Sequence, residues 1–187
     1  MVQAPTQPLS LEAFLAQPET KPAREYSDGA ITQKPMPQGK HSVLQRELSI
    51  TLTLAFRAER IAQAFPELRC TFGGRSLVPD IAIFQEQRIP RDDNGKIADA
   101  FLIPPDWAIE ILSPGQSQTQ ILRNLSHCFA HGTQMAWLLD PEEACLLVYN
   151  TEPALRVFEA DATPLPVPDF AAAVQLTAGE IFGWLTT

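Results

Sequence analysis

The chain has 187 residues, 45% of them hydrophobic and 19% charged, which is enough apolar material for one domain with a buried core. A net charge of −8 excludes a protein that coats nucleic acid by bulk electrostatics, because that needs clustered Lys and Arg; any nucleic-acid contact has to be local. Cys70, Cys128 and Cys145 lack CxxC spacing and read as buried thiols of a reducing compartment. With no basic-then-apolar leader in "MVQAPTQPLS" and no apolar run long enough to span a membrane, the expected location is cytoplasmic.

Residues 1–8, rich in Pro and Gln, are expected to be disordered, and Ser10 to cap a short helix carrying Leu11, Phe14 and Leu15 on one side. "REYSDGAI" reads as a strand broken by a turn at Asp28-Gly29. From His41 onward, Leu44, Leu48, Leu52, Ala55 and Phe56 recur at helical spacing and predict the longest helix of the chain, running to about Phe65. Three β-rich runs follow, "LRCTF", "LVPDIAIF" and "DWAIEILS", the last preceded by the polar loop "QEQRIPRDDNGKIAD". In "SQTQILRNLSHCFAHG", Ile121, Leu122, Leu125, Cys128 and Phe129 again keep helical spacing, with Gly132 as the stop. "MAWLLD", "CLLVYN" and "LRVFEA" return to strands, and "LTAGEIFGWL" closes as a terminal helix. This order predicts an α/β fold, a central mixed β-sheet flanked by α-helices, as a single domain over residues 1–187 without internal repeats.

Two acidic residues interrupt this pattern: Asp80 in "SLVPDIAIF" and Glu110 in "DWAIEILS". Runs that are apolar on both faces belong to strands buried on both sides, where an ionised carboxylate is costly unless it is paired or holds a metal. Two carboxylates converging at strand ends form an oxygen-rich site suited to Mg²⁺ or Mn²⁺. The competing reading is a structural network in which Asp80 caps a turn and an arginine, Arg75 or Arg123, pairs with the carboxylates.

Other groups invite weighing. His127 and His131, four apart with Cys128 between them, would suit Zn²⁺ or simply pack as ordinary histidines. His41 and Gln45 share one face of the long helix and either look into a cleft or serve the helix entry. Arg88, Arg91 and Lys96 lie in the polar loop and suit a phosphate backbone, yet Asp92, Asp93 and Asp99 offset their charge. Trp137 and Phe129 stand at core-like positions, and no Gly-rich phosphate loop or Ser-His-Asp arrangement is recognisable.

The ordered series "REYSDG", "KPMPQGKHSVLQ", "VPD", "PPDWAIEILSP" and "HCFAHGTQMAWLLDP" resembles the PD-(D/E)xK restriction-endonuclease-like superfamily, and within it the Uma-two-like branch, over roughly residues 10 to 185. The resemblance implies a restriction-endonuclease-like core and an endonuclease that hydrolyses DNA with Mg²⁺ or Mn²⁺. It assigns Asp80 as the main metal-bridging carboxylate, Glu110 as a second ligand and the Ile111 carbonyl as a third. Glu25 would hold metal-bound water, DNA would be the partner, and a homodimer the usual assembly. One position departs from the pattern. The superfamily lysine two residues after the glutamate is Leu112 here, and the following helix, which supplies that lysine in this branch, has Gln120 and Asn124 in the expected places and Arg123 as its only arginine or lysine. Arg binds phosphate but does not readily transfer protons. Lys34, near the entrance of the long helix, is a further candidate cation that nothing in the sequence places. A degraded nuclease homologue, kept as a nucleic-acid or protein binding module, is the alternative these substitutions leave open, and a structural or oligomerisation domain with arginine-paired carboxylates is a third.

Overall fold

Two β-sheets part company between Leu77 and Ile81, and the corner they leave holds Asp80. The computed structural model describes residues 9–151 and 155–186; the expectation for residues 1–8 lies outside them. The first sheet is antiparallel, in the order β2 (Ala30–Gln33), β1 (Arg24–Ser27), β5 (Arg75–Leu77) and β4 (Cys70–Phe72). The second has six strands in the order β10 (Arg156–Glu159), β9 (Cys145–Asn150), β8 (Met135–Asp140), β7 (Trp107–Ile111), β6 (Ile81–Gln85) and β3 (Ala62–Pro66). It is mixed, because β7 and β8 run parallel while the other neighbours are antiparallel. The predicted mixed sheet with flanking helices is therefore the observed architecture.

Side-chain alternation explains how the helices cover this sheet. Ile81, Ile83, Trp107, Ile109, Ile111, Trp137 and Leu139 form one core with Leu44, Leu48, Leu52 and Phe56 of α2 (Gly39–Arg57) and with α4 (Ala178–Gly183). The four α2 residues recur every fourth position and are fully buried, each worth roughly 1.5–3 kcal/mol of apolar burial. The intervening residues Ala108, Leu112, Ala136 and Leu138 meet Ile121 and Leu125 of α3 (Gln118–Ala130) on the opposite face. Trp137 and Phe129 pack as expected: Trp137 is fully buried with its indole N–H donating to Pro166, and Phe129 lies partly buried against the α3 cluster.

Two element boundaries and one buried face differ from expectation. The long helix stops at Arg57 instead of continuing to Phe65: Arg60 takes a left-handed backbone, and Ala62–Pro66 pairs antiparallel with β6, so a cross-strand ladder overrides local helical tendency. "LVPDIAIF" is not one strand; Leu77 ends β5 in one sheet and Ile81 begins β6 in the other. Pro79 has no N–H for a ladder, and the Val78 N–H is taken by the Glu25 carboxylate instead. In α1 (Leu11–Leu15), Phe14 alone is buried, stacked on Tyr26, while Leu15 is exposed. Among the described residues, no helix is long and apolar enough to cross a membrane.

Candidate metal centre

In the β6–β7 pair Ile81 stands opposite Ile109 and Ala82 opposite Ala108, and continuing that register by one residue sets Asp80 opposite Glu110. Alternation turns Glu110 to the face of Ala108 and Leu112 that α3 covers, while Asp80, at the bend before β6, also reaches His41 of α2. Both are buried, at 2% and 4% exposure. Like charges placed opposite each other across strands repel. A cation from elsewhere in the chain answers this: the Lys34 ammonium, delivered by the link between β2 and α2, lies 2.7 Å from Asp80 Oδ1 and 3.2 Å from Glu110 Oε2 and donates at 2.8 Å to the Val78 carbonyl.

The second oxygen of Asp80 is also occupied. Asp80 Oδ2 accepts the Ile111 backbone N–H at 2.7 Å and stands 3.1 Å from His41 Nε2, while Gln45 donates to the Asp80 carbonyl at 2.9 Å. The face of α2 shared by His41 and Gln45 thus clamps Asp80, and His41 Nδ1 is buried without a hydrogen-bond partner among the described residues. Of the three donors assigned by resemblance, Asp80 and Glu110 come together; the Ile111 backbone adjoins them through its N–H.

Glu25, the third acidic residue singled out, lies on β1 in the same neighbourhood but turns its oxygens elsewhere. Oε1 accepts the Val78 N–H at 2.8 Å and Oε2 accepts the Asn124 side-chain amide at 2.9 Å. Asn124, at the helix position expected to carry lysine, therefore binds a carboxylate without charge, and Gln120 donates in turn to Asn124. The arginine-paired alternative is not what the fold builds: Arg75 pairs with Asp28 and Arg123 is exposed, so the partner of Asp80 and Glu110 is Lys34.

Electrostatics divides the two opposed carboxylates. Burial alone would push Asp80 up, but Lys34 and the His41 hydrogen bond outweigh it and hold the carboxyl below its ordinary 3.8. Burial dominates at Glu110 and, with the charges of Asp80 and Glu25, drives it well above 4.5 despite Lys34. Burial also raises Glu25. Burial disfavours the Lys34 ammonium, yet Glu110, Asp80 and Glu25 together raise it above its ordinary 10.5.

A cleft of about 270 Å³ opens on this cluster, lined by Glu25, Lys34, Glu110, Gln120 and Asn124 among others. Among the described residues, Lys34 is the only cationic one of that lining. A separate space of about 20 Å³ touches Lys34, His41 and Asp80, so Lys34 borders both spaces while Asp80 lines only the smaller one. Among the described residues, no three His, Cys, Asp or Glu side chains converge to hold a metal. The donor set is instead a pair of carboxylates beside a cleft, already holding one positive charge. That composition fits Mg²⁺ or Mn²⁺, which take one or two protein carboxylates and fill the remaining positions with water and phosphate oxygens.

The remaining candidates resolve as packing. His127 Nε2 meets the Phe72 carbonyl at 3.0 Å, His131 Nδ1 meets the His127 carbonyl at 2.8 Å, and both rings contact the Phe72 ring. These nitrogens face carbonyls, and Cys128 packs into an apolar cluster with Cys70, so the zinc arrangement is not formed. In the polar loop, Arg88 pairs with the buried Asp106 and Arg91 with Glu86. Lys34 and Asp106 are the residues whose importance sequence spacing conceals, since each acts across a distance in the chain that no local pattern spans.

A family model of Uma2, described as "Putative restriction endonuclease", matches residues 11–179. A solved crystal structure of "a putative nuclease belonging to DUF820" from Anabaena variabilis ATCC 29413 is 52% identical in sequence and superposes with a TM-score of 0.93. The match covers 95% of this chain and 99% of that one. Among curated proteins, nothing matches.

Proposed function

Because the chain belongs to the Uma2 family of restriction-endonuclease-like proteins, we propose that it is a divalent-metal-dependent endonuclease that hydrolyses DNA phosphodiester bonds at the Asp80–Glu110 cleft. The observation that carries this reading is the pair of opposed, buried carboxylates sharing one cation, with Lys34 and Glu110 lining an open cleft. Such a pair is a poor stabilising device, because desolvating the charges costs several kcal/mol per ion before their attraction is counted. A cation-binding role accounts for it.

Asp80 and Glu110 would hold Mg²⁺ or Mn²⁺, with the Ile111 carbonyl as a further donor. The bound ion supplies polarisation of a phosphoryl oxygen and a lowered pKa for water. This chain's own residues supply the rest. The Ile111 N–H and His41 fix the Asp80 carboxylate in one orientation, which removes reorganisation from the chemical step. Glu25, fixed by Val78 and Asn124, orders water at the edge of the cleft. An acidic protein with one lysine in its cleft contacts DNA locally, at the reacting phosphate, and not along a basic track.

A second reading is favoured by one observation: Asn124 occupies the helix position where the family pattern has lysine. Under it the chain is a degraded homologue that binds without turnover. Nicking of supercoiled plasmid by purified protein in Mn²⁺, compared with Glu110→Gln, separates the two: turnover lost in the variant supports the nuclease, and Mn²⁺ binding without turnover in wild type supports the degraded homologue.

A further inference from the structure

The helix that should carry the site lysine has none, yet the site contains one. Lys34 reaches Asp80 from 46 positions away and Glu110 from 76. Its side chain is 14% exposed, and its ammonium makes three contacts, one of them to the Val78 carbonyl at the corner between the sheets. Asn124, at the expected position, has taken up a different task as donor to Glu25. Lys34 also lines both the open cleft and the small space against Asp80. A cation arriving from the cleft meets Lys34 before it meets Asp80.

We propose that Lys34 is the relocated lysine of this site: it serves as the resident counter-ion of the Asp80–Glu110 pair, and a divalent ion that binds there displaces its ammonium into the cleft, where it faces the substrate phosphate. The inference rests on the metal-dependent reading above and adds a residue and a competition to it. Geometry sets up the competition at Asp80, whose Oδ2 already meets the Ile111 N–H and His41. The oxygen left for a metal is Oδ1, which Lys34 holds. The flexible four-carbon stem of lysine allows the move. Once displaced, the ammonium remains the only cationic group of the cleft lining and is the natural partner for a phosphate oxygen.

The experiment is a calorimetric titration of Mn²⁺ into wild type, Lys34→Met and Lys34→Met/Asn124→Lys, paired with plasmid nicking. Removing the competing ammonium is expected to tighten Mn²⁺ binding about tenfold or more, since a unit charge within 4 Å of the carboxylates is lost, while nicking falls about a hundredfold. Restoring a lysine from α3 in the double variant is expected to recover nicking while the tighter Mn²⁺ binding persists. If Lys34→Met does not fold without metal, Mn²⁺ is expected to restore its far-UV circular dichroism, and failure to do so contradicts the proposal. Wild type that binds Mn²⁺, with Lys34→Met binding it no more tightly, overturns the role of Lys34 and leaves the metal centre standing. No Mn²⁺ binding by any of the three folded proteins overturns the metal centre itself, and Lys34's role with it.

Discussion

Lys34 Nζ and Asp80 Oδ1 lie 2.7 Å apart, although 46 positions separate the residues in the chain. The contact ties the β2–α2 link to the start of β6. It also means that removing Asp80 strands the Lys34 charge, and removing Lys34 strands that of Asp80.

Asp80→Ala is therefore expected to cost more than the loss of a metal ligand. The substitution removes the acceptor for Lys34, His41 and the Ile111 N–H and leaves a buried ammonium facing a single carboxylate. Breaking a buried pair from one side costs about 3–5 kcal/mol. Urea denaturation in EDTA checks this, and a loss below about 1 kcal/mol would show the pair to be solvated.

The pH dependence of the metal-free protein follows from the split between the two carboxylates. Glu110 sits well above its ordinary 4.5 because it is buried. A raised carboxylate contributes stability below its unfolded value and loses that contribution as pH rises through the folded value. Asp80 runs the other way: held below 3.8 by Lys34 and His41 against the cost of burial, it contributes above its unfolded value and loses that as pH falls through the folded one. Stability is expected to decline as pH rises above the ordinary carboxylate value of 4.5, and Glu110→Gln to flatten that decline. Urea midpoints across this range in EDTA measure the difference.

Asp106 provides a contrast within the same strand region. It is fully buried and accepts the Gln85 N–H and side-chain amide, the Gln134 amide and Arg88, so it is a saturated structural carboxylate away from the cleft lining. Asp106→Asn is expected to lower stability by about 2–3 kcal/mol and to leave nicking per folded molecule unchanged. Thermal melts and nicking at a temperature where both proteins are folded make the comparison.

Gly73 closes the β4–β5 turn with φ of +55°, and a Cβ there would fall 2.1 Å from His131 Nε2. Gly73→Ala is expected to destabilise by about 1–2 kcal/mol from backbone strain alone, with displacement of the His131 ring from Phe72 visible as altered histidine NMR shifts.

The sheet and its helices were readable because their signals are local: four apolar residues at four-residue spacing on α2, and alternation on β6 and β7. The end of α2 was not, because Ala62–Pro66 becomes a strand only through its ladder with β6. Asp80 and Glu110 stood out as charges in apolar runs, and the register places them opposite each other. Glu25 was found by resemblance, but its bonds to Val78 and Asn124 depend on the sheet corner. Lys34 carries no local signal at all. It follows an exposed edge strand, and only the turn of the chain into α2 brings its ammonium to the carboxylates.

The most direct test of the central claim is nicking of supercoiled plasmid by the purified chain in Mn²⁺ or Mg²⁺, beside Glu110→Gln and an EDTA control. Nicking is expected in wild type and is expected to disappear in both controls while Glu110→Gln remains folded. Nicking that survives in Glu110→Gln, or a folded wild type that neither nicks DNA nor binds Mn²⁺, would contradict it.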